Sequence, residues 1–229
     1  MIRILFQGDS ITDGARLKDE DRRWDLNNQI GHSYVFSIVS ILGRKYPGKF
    51  CFINRGVSGD SVDKAALRWK EDTLDQKADV LSILLGINAN GKYDGIYPEG
   101  VDEHMSHFDK VYRELLDAAR AENPNLKLVI IEPFFLPVGK YKEHYDDFMK
   151  AFSLKQDLIR RIAEDYGAIF IPTQKRFEAL IEESREPLIS NGWQRDAAEY
   201  WFWDGVHPTE PLHAVLADMW IDATKDLFD

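Results

Sequence analysis

The chain has 229 residues, 44% of them hydrophobic and 30% charged, enough for one α/β domain built on a single core spanning 1–229. A net charge of −10 with dispersed Lys and Arg disfavours phosphate backbones and anionic lipid, so no nucleic acid or membrane partner is expected. No apolar run approaches the roughly 20 residues a membrane helix needs, and Met1 leads straight into a strand pattern with no secretory signal, so a cytoplasmic location is expected.

Five short apolar runs read as buried strands: Ile2 to Phe6, Phe50 to Ile53, Val80 to Leu85, Leu128 to Ile131 and Ala168 to Ile171. Helical periodicity lies between and after them. It is carried by Val35, Ile38, Val39 and Leu42, by Phe108, Val111, Tyr112, Leu115 and Leu116, by Leu158, Ile159, Ile162 and Tyr166, and by Leu212, Val215, Leu216, Met219 and Trp220. Strands alternating with helices predict a mainly parallel sheet covered on both faces. The lone Cys51, in the run FCFI, suits a buried small side chain better than a disulfide or a metal cluster.

The first strand breaks into Gly8, Asp9 and Ser10, and the same tripeptide returns as Gly59, Asp60 and Ser61. A serine becomes a nucleophile only beside a base and fixed N–H donors, and a strand-to-helix turn can offer both. Ser10 stands at such a turn. The bland alternative is that Ser10, Thr12 and Asp13 cap a helix. Ser61 opens the helical stretch SVDKAALRWKEDTL, and capping accounts for it. Gly56 lets backbone N–H groups approach a ligand, or is an ordinary turn glycine.

For the base, WFWDGVHPTEPLH offers Asp204 with His207 in a loop, and Glu210 with His213 on the last helix, the latter expected at the surface. His104 and His107 share a helix face, where a solvated role outweighs metal ligation. No cofactor or metal motif stands out.

GDSITDG at 8–14, NRGVSGD at 54–60, LLGIN at 84–88 and DGVHPT at 204–209 together resemble the four blocks of the SGNH (GDSL) hydrolases. That resemblance implies a three-layer α/β/α sandwich on a five-stranded parallel sheet, with flavodoxin-like order. It also implies Ser10 as nucleophile, with Asp204 and His207 completing a triad. The oxyanion site would then be the Ser10 N–H, the Gly56 N–H and the Asn88 amide. Asp9 and Trp203 are the candidate substrate contacts, Trp203 either lining the pocket or packing in the core, and Arg22, Arg23 and Trp24 read as a charged surface loop in preference to a pocket rim. YVFSIVSILGRKYPGKFCFINRGVSG, IEPFFLPVG and YWFWDGVHPT resemble the carbohydrate-esterase branch, including acetylxylan-esterase-like deacetylases. Many relatives carry Asp where this chain has Ala89.

The implied activity is hydrolysis of short acyl esters, acetyl foremost, on a small-molecule substrate such as an acetylated sugar. A thioesterase or lysophospholipase would use the same triad, and a silent carbohydrate-binding protein would keep the pocket without an activated serine. Homo-oligomerisation fits the resembled enzymes, with nothing in the chain to set its symmetry.

Overall fold

A computed structural model describes residues 1–18, 29–88 and 101–228. The strands are β1 (Ile2–Gly8), β2 (Phe50–Asn54), β3 (Val80–Leu84), β4 (Lys127–Ile131) and β5 (Ile169–Ile171). All are parallel, in the order β2-β1-β3-β4-β5. The helices are α1 (Ser10–Asp13), α2 (Tyr34–Lys45), α3 (Val62–Asp72), α4 (Val101–Glu122), α5 (Tyr145–Asp165), α6 (Gln174–Ser190), α7 (Ala198–Trp201) and α8 (Glu210–Thr224).

Alternation along each strand sorts the core into two layers. Ile4, Phe6, Val80, Leu84, Val129 and Ile131 face α2, α6 and α8, around fully buried Tyr34, Phe177 and Trp220. Leu5, Leu81, Ile83, Leu128 and Ile130 face α3, α4 and α5. Strands covered on both sides must be apolar throughout, which is why they stand out in the sequence as continuous runs. Three polar residues are buried among them, Gln7, Asn54 and Ser82, and the Ser82 hydroxyl accepts from Trp220 Nε1 at 3.0 Å.

The strand order decides where a site can form. The chain steps from β1 outward to β2, then returns to the other side of β1 for β3, so connections diverge beyond the carboxyl ends of β1 and β3. A crevice opens at such a reversal. Gly8 pairs with Leu84, so the segments leaving the two strands start side by side. One expectation is corrected here: Cys51 lies on the edge strand β2 and is half-buried, not enclosed.

Candidate active site

Ser10 is the first residue of α1, and the preceding Asp9 is its cap, with a carboxylate oxygen that accepts from the Ile11 N–H at 3.0 Å. With capping assigned to Asp9, the Ser10 hydroxyl is spared that role. It lies 2.9 Å from His207 Nε2. Burial explains the rest of Asp9: only 1% of its surface is exposed, and desolvation pushes its carboxyl up to about 7. Asp9 is therefore not a substrate contact, correcting that expectation.

His207 and Asp204 share the loop between α7 and α8. His207 Nδ1 is 2.9 Å from Asp204 Oδ2, while Asp204 Oδ1 accepts from the Val206 and His207 N–H groups at 2.7 Å each. Partial burial opposes the Asp204 charge, but the His207 side chain and those two backbone donors outweigh it and hold the carboxyl down at about 2. The carboxylate in turn raises the His207 imidazole above its ordinary range, against partial burial. With Nδ1–H directed at the carboxylate, Nε2 presents its lone pair to the Ser10 hydroxyl. The loop itself is pinned. Leu136 N–H donates to Gly205 C=O at 2.8 Å, and Trp203 N–H donates to His207 C=O at 2.9 Å.

The Asn88 side-chain amide donates to Asp60 C=O at 3.0 Å, which joins the segment after β3 to the turn after β2. Gly56 behaves otherwise than expected. Its N–H is buried and donates to Asn54 Oδ1 at 2.9 Å, and a Cβ at this position would fall 2.5 Å from the Asp13 nitrogen. Gly56 thus serves close packing of the turn against α1, and its amide is already committed. The glycine of this turn that faces solvent is Gly59, with φ +78° and open space around a built Cβ. The repeated Gly-Asp-Ser tripeptide is the sequence signal that marks it.

The remaining candidates separate by burial. Trp203, beside Asp204, is 70% exposed, whereas its neighbour Phe202 is buried in the core. His213 is half-buried rather than at the surface: its Nδ1 accepts from the Tyr34 N–H at 3.1 Å, and burial lowers it to about 4. His104 is buried and His107 pairs with Asp63 at 2.7 Å; no metal-binding cluster occurs among the described residues. Ser61 caps α3 by accepting from the Lys64 N–H at 3.4 Å. Arg22, Arg23, Trp24 and Ala89 lie outside the described residues.

The GDSL-like lipase/acylhydrolase family model matches residues 6–215. The chain belongs to that family. It is 27% identical over 218 residues to an acetylxylan esterase of Geobacillus stearothermophilus, covering 94% of this chain and 90% of the relative. Among solved structures, a protein described as a GDSL-like lipase from Parabacteroides merdae superposes with a TM-score of 0.77 at 31% identity, covering 98% of this chain and 95% of that one. The G. stearothermophilus acetylxylan esterase superposes with a TM-score of 0.72 at 25% identity, covering 97% and 93%. Variants of that enzyme described as catalytic mutants replace one serine, one aspartate and one histidine, the last two three positions apart. This family member is a carboxylic ester hydrolase.

Proposed function

We propose that this GDSL-family hydrolase is a serine esterase that removes short acyl groups, acetyl foremost, from carbohydrate. One observation carries the reading: Ser10 Oγ stands 2.9 Å from His207 Nε2, with Asp204 2.9 Å behind the other ring nitrogen. Ser10 Oγ attacks the ester carbonyl carbon while its proton passes to His207 Nε2, and Asp204 steadies the imidazolium. Collapse of the tetrahedral intermediate breaks the bond to the leaving alcohol, which takes that proton. A water then attacks the acyl-enzyme, giving its proton to His207 and releasing the acid as Ser10 is reprotonated.

The negative charge on the former carbonyl oxygen needs donors. The Ser10 N–H and the Asn88 amide serve, and Gly59 replaces Gly56 as the glycine donor because the Gly56 N–H is held by Asn54. Two features support a sugar ester: the exposed Trp203 ring beside the base, suited to stacking on a pyranose CH face, and similarity to a protein named as an acetylxylan esterase.

The test combines fluorophosphonate labelling with a chain-length series of nitrophenyl esters and a panel of acetylated sugars. Stoichiometric labelling lost in Ser10→Ala, with acetyl preferred over long acyl chains, is the expected result. Absence of labelling would identify an inert binder, and a preference for long chains would favour a thioesterase or lysophospholipase.

A further inference from the structure

Arg68 lies on α3, outside the Ser10, His207 and Asp204 group, yet its side chain is only 18% exposed. Its Nε donates to Asp60 Oδ2 at 2.7 Å, and its Nη1 donates to Arg55 C=O at 2.8 Å and to Asp72 Oδ2 at 2.9 Å. Arg55 and Asp60 are the two ends of the turn that contains Gly56 and Gly59. One planar guanidinium therefore ties both ends of this turn to the helix behind it. The far end is the one that meets Asn88, since Asp60 C=O accepts from the Asn88 amide.

We propose that Arg68 is the positioning residue of the oxyanion site, holding the turn on which Asn88 is oriented and from which Gly59 faces outward. The inference rests on the Ser10 reading above. An Asn amide nitrogen carries two hydrogens. Asp60 C=O takes one and so fixes the direction of the other, which is the one available to a developing oxyanion. A carbonyl that drifts turns the amide away from that oxygen. Without Arg68, the Asp60 side chain, 7% exposed, loses its guanidinium and the turn loses the tie at Arg55.

A purely structural role is the competing explanation, but α3 has other anchors. Val62, Ala65 and Trp69 are buried in the core, Trp69 Nε1 donates to Leu115 C=O at 3.0 Å, and Ser61 caps the helix. Arg68 adds little to that packing. Apart from Asp72 on its own helix, what it holds is the turn.

The experiment measures kcat and KM for nitrophenyl acetate in Arg68→Gln and Arg68→Lys, each also in an Asn88→Ala background, with melting temperature alongside. Arg68→Lys keeps the charge but lacks the fork that reaches both ends of the turn, so it carries the test if Arg68→Gln does not fold. A misplaced donor should lower kcat by about 10- to 100-fold with KM changed less than about threefold. Asn88→Ala alone should cost about 100- to 1,000-fold in kcat. In that background the Arg68→Lys penalty should shrink by at least about threefold, because Asn88, one of the two donors the turn positions, is gone while Gly59 remains. An equal penalty in both backgrounds, or a lower melting temperature with kcat unchanged, would overturn the proposal and leave Arg68 as a structural ion pair. Ser10→Ala separates the two levels. If it stays active, the Ser10 reading fails whatever Arg68 does; if it is inactive, the Arg68 results bear on Arg68 alone.

Discussion

The two Gly-Asp-Ser tripeptides are identical in sequence and opposite in use. At 8–10 the helix begins at Ser10, so Asp9 is the cap and the hydroxyl is left for His207. At 59–61 the helix begins one residue later, at Val62, so Ser61 is the cap and Asp60 is left for Arg68. A one-residue shift of the helix start exchanges the tasks of the acid and the alcohol. The Ser10 turn also leaves a central strand beside the sheet reversal, whereas the second tripeptide stands several residues past an edge strand. Chemistry follows from the place in the sheet together with the cap register, not from the tripeptide.

Swapping alanine into the two serines tests this contrast most severely. Ser10→Ala should lower kcat by about 10⁴- to 10⁶-fold in a nitrophenyl acetate assay, the range seen when a nucleophile is removed from a triad. Ser61→Ala should leave kcat within about twofold and cost about 0.5–1 kcal/mol in urea unfolding, the low end for a lost cap because its hydrogen bond is long at 3.4 Å. Reversal of these two outcomes would put the chemistry in the wrong turn.

The pH profile sharpens the contrast between a paired and an unpaired acid. Asp204 titrates at about 2, so across the working range it stays ionised and the acid limb of kcat/KM belongs to His207. Its raised imidazole must lose a proton to act as base, so activity should fall as pH drops through a midpoint above 6.5. The stability from the His207–Asp204 pair runs the other way on its imidazole side. It is full below the unfolded His value and is lost as pH rises through the folded one. On the carboxylate side it is present above 3.8 and lost as pH falls toward 2. A midpoint below 6.5 in a kcat/KM profile would mean that Asp204 does not support the imidazole in solution.

Much of this architecture is legible in the sequence, and the limits have physical causes. The five strands announce themselves because burial on both faces demands unbroken apolar runs, and their observed ends differ from the expected ones by only one or two residues. Helix α6 escapes notice. Only Gln174, Phe177 and Ile181 of its 17 residues are buried, so EESREPL shows little apolar periodicity, and Pro187 lies inside it. Ser10, Asp204, His207 and Asn88 carry ordered motifs, and the structure brings Ser10 and Asp204 within hydrogen-bond reach of His207. Gly56 could not be assigned correctly from its motif, because what occupies its N–H is a side chain two residues earlier, and nothing local says that Asn54 folds back. Burial of Asp9 and the reach of Arg68 across its turn are likewise tertiary facts, set by what packs around them.

The effect smallest on turnover concerns the acid that caps the helix of Ser10. One Asp9 oxygen caps Ile11, while the other is buried with no hydrogen-bond partner among the described residues. Desolvation raises this carboxyl from 3.8 to about 7, helped by Asp60 and opposed by the Ile11 N–H and His207. Between those values the folded protein holds a proton that the unfolded chain has released, so stability declines as pH rises from about 4 to 7 and levels off above. Asp9→Asn keeps the capping oxygen and cannot ionise. Its melting temperature relative to the parent should therefore rise across that window and then stay constant. Asp9 also helps to raise His207, so the same variant should move the acid limb of kcat/KM to lower pH. A pH-independent difference in melting temperature would show that the Asp9 carboxylate is ionised and solvated in the folded protein.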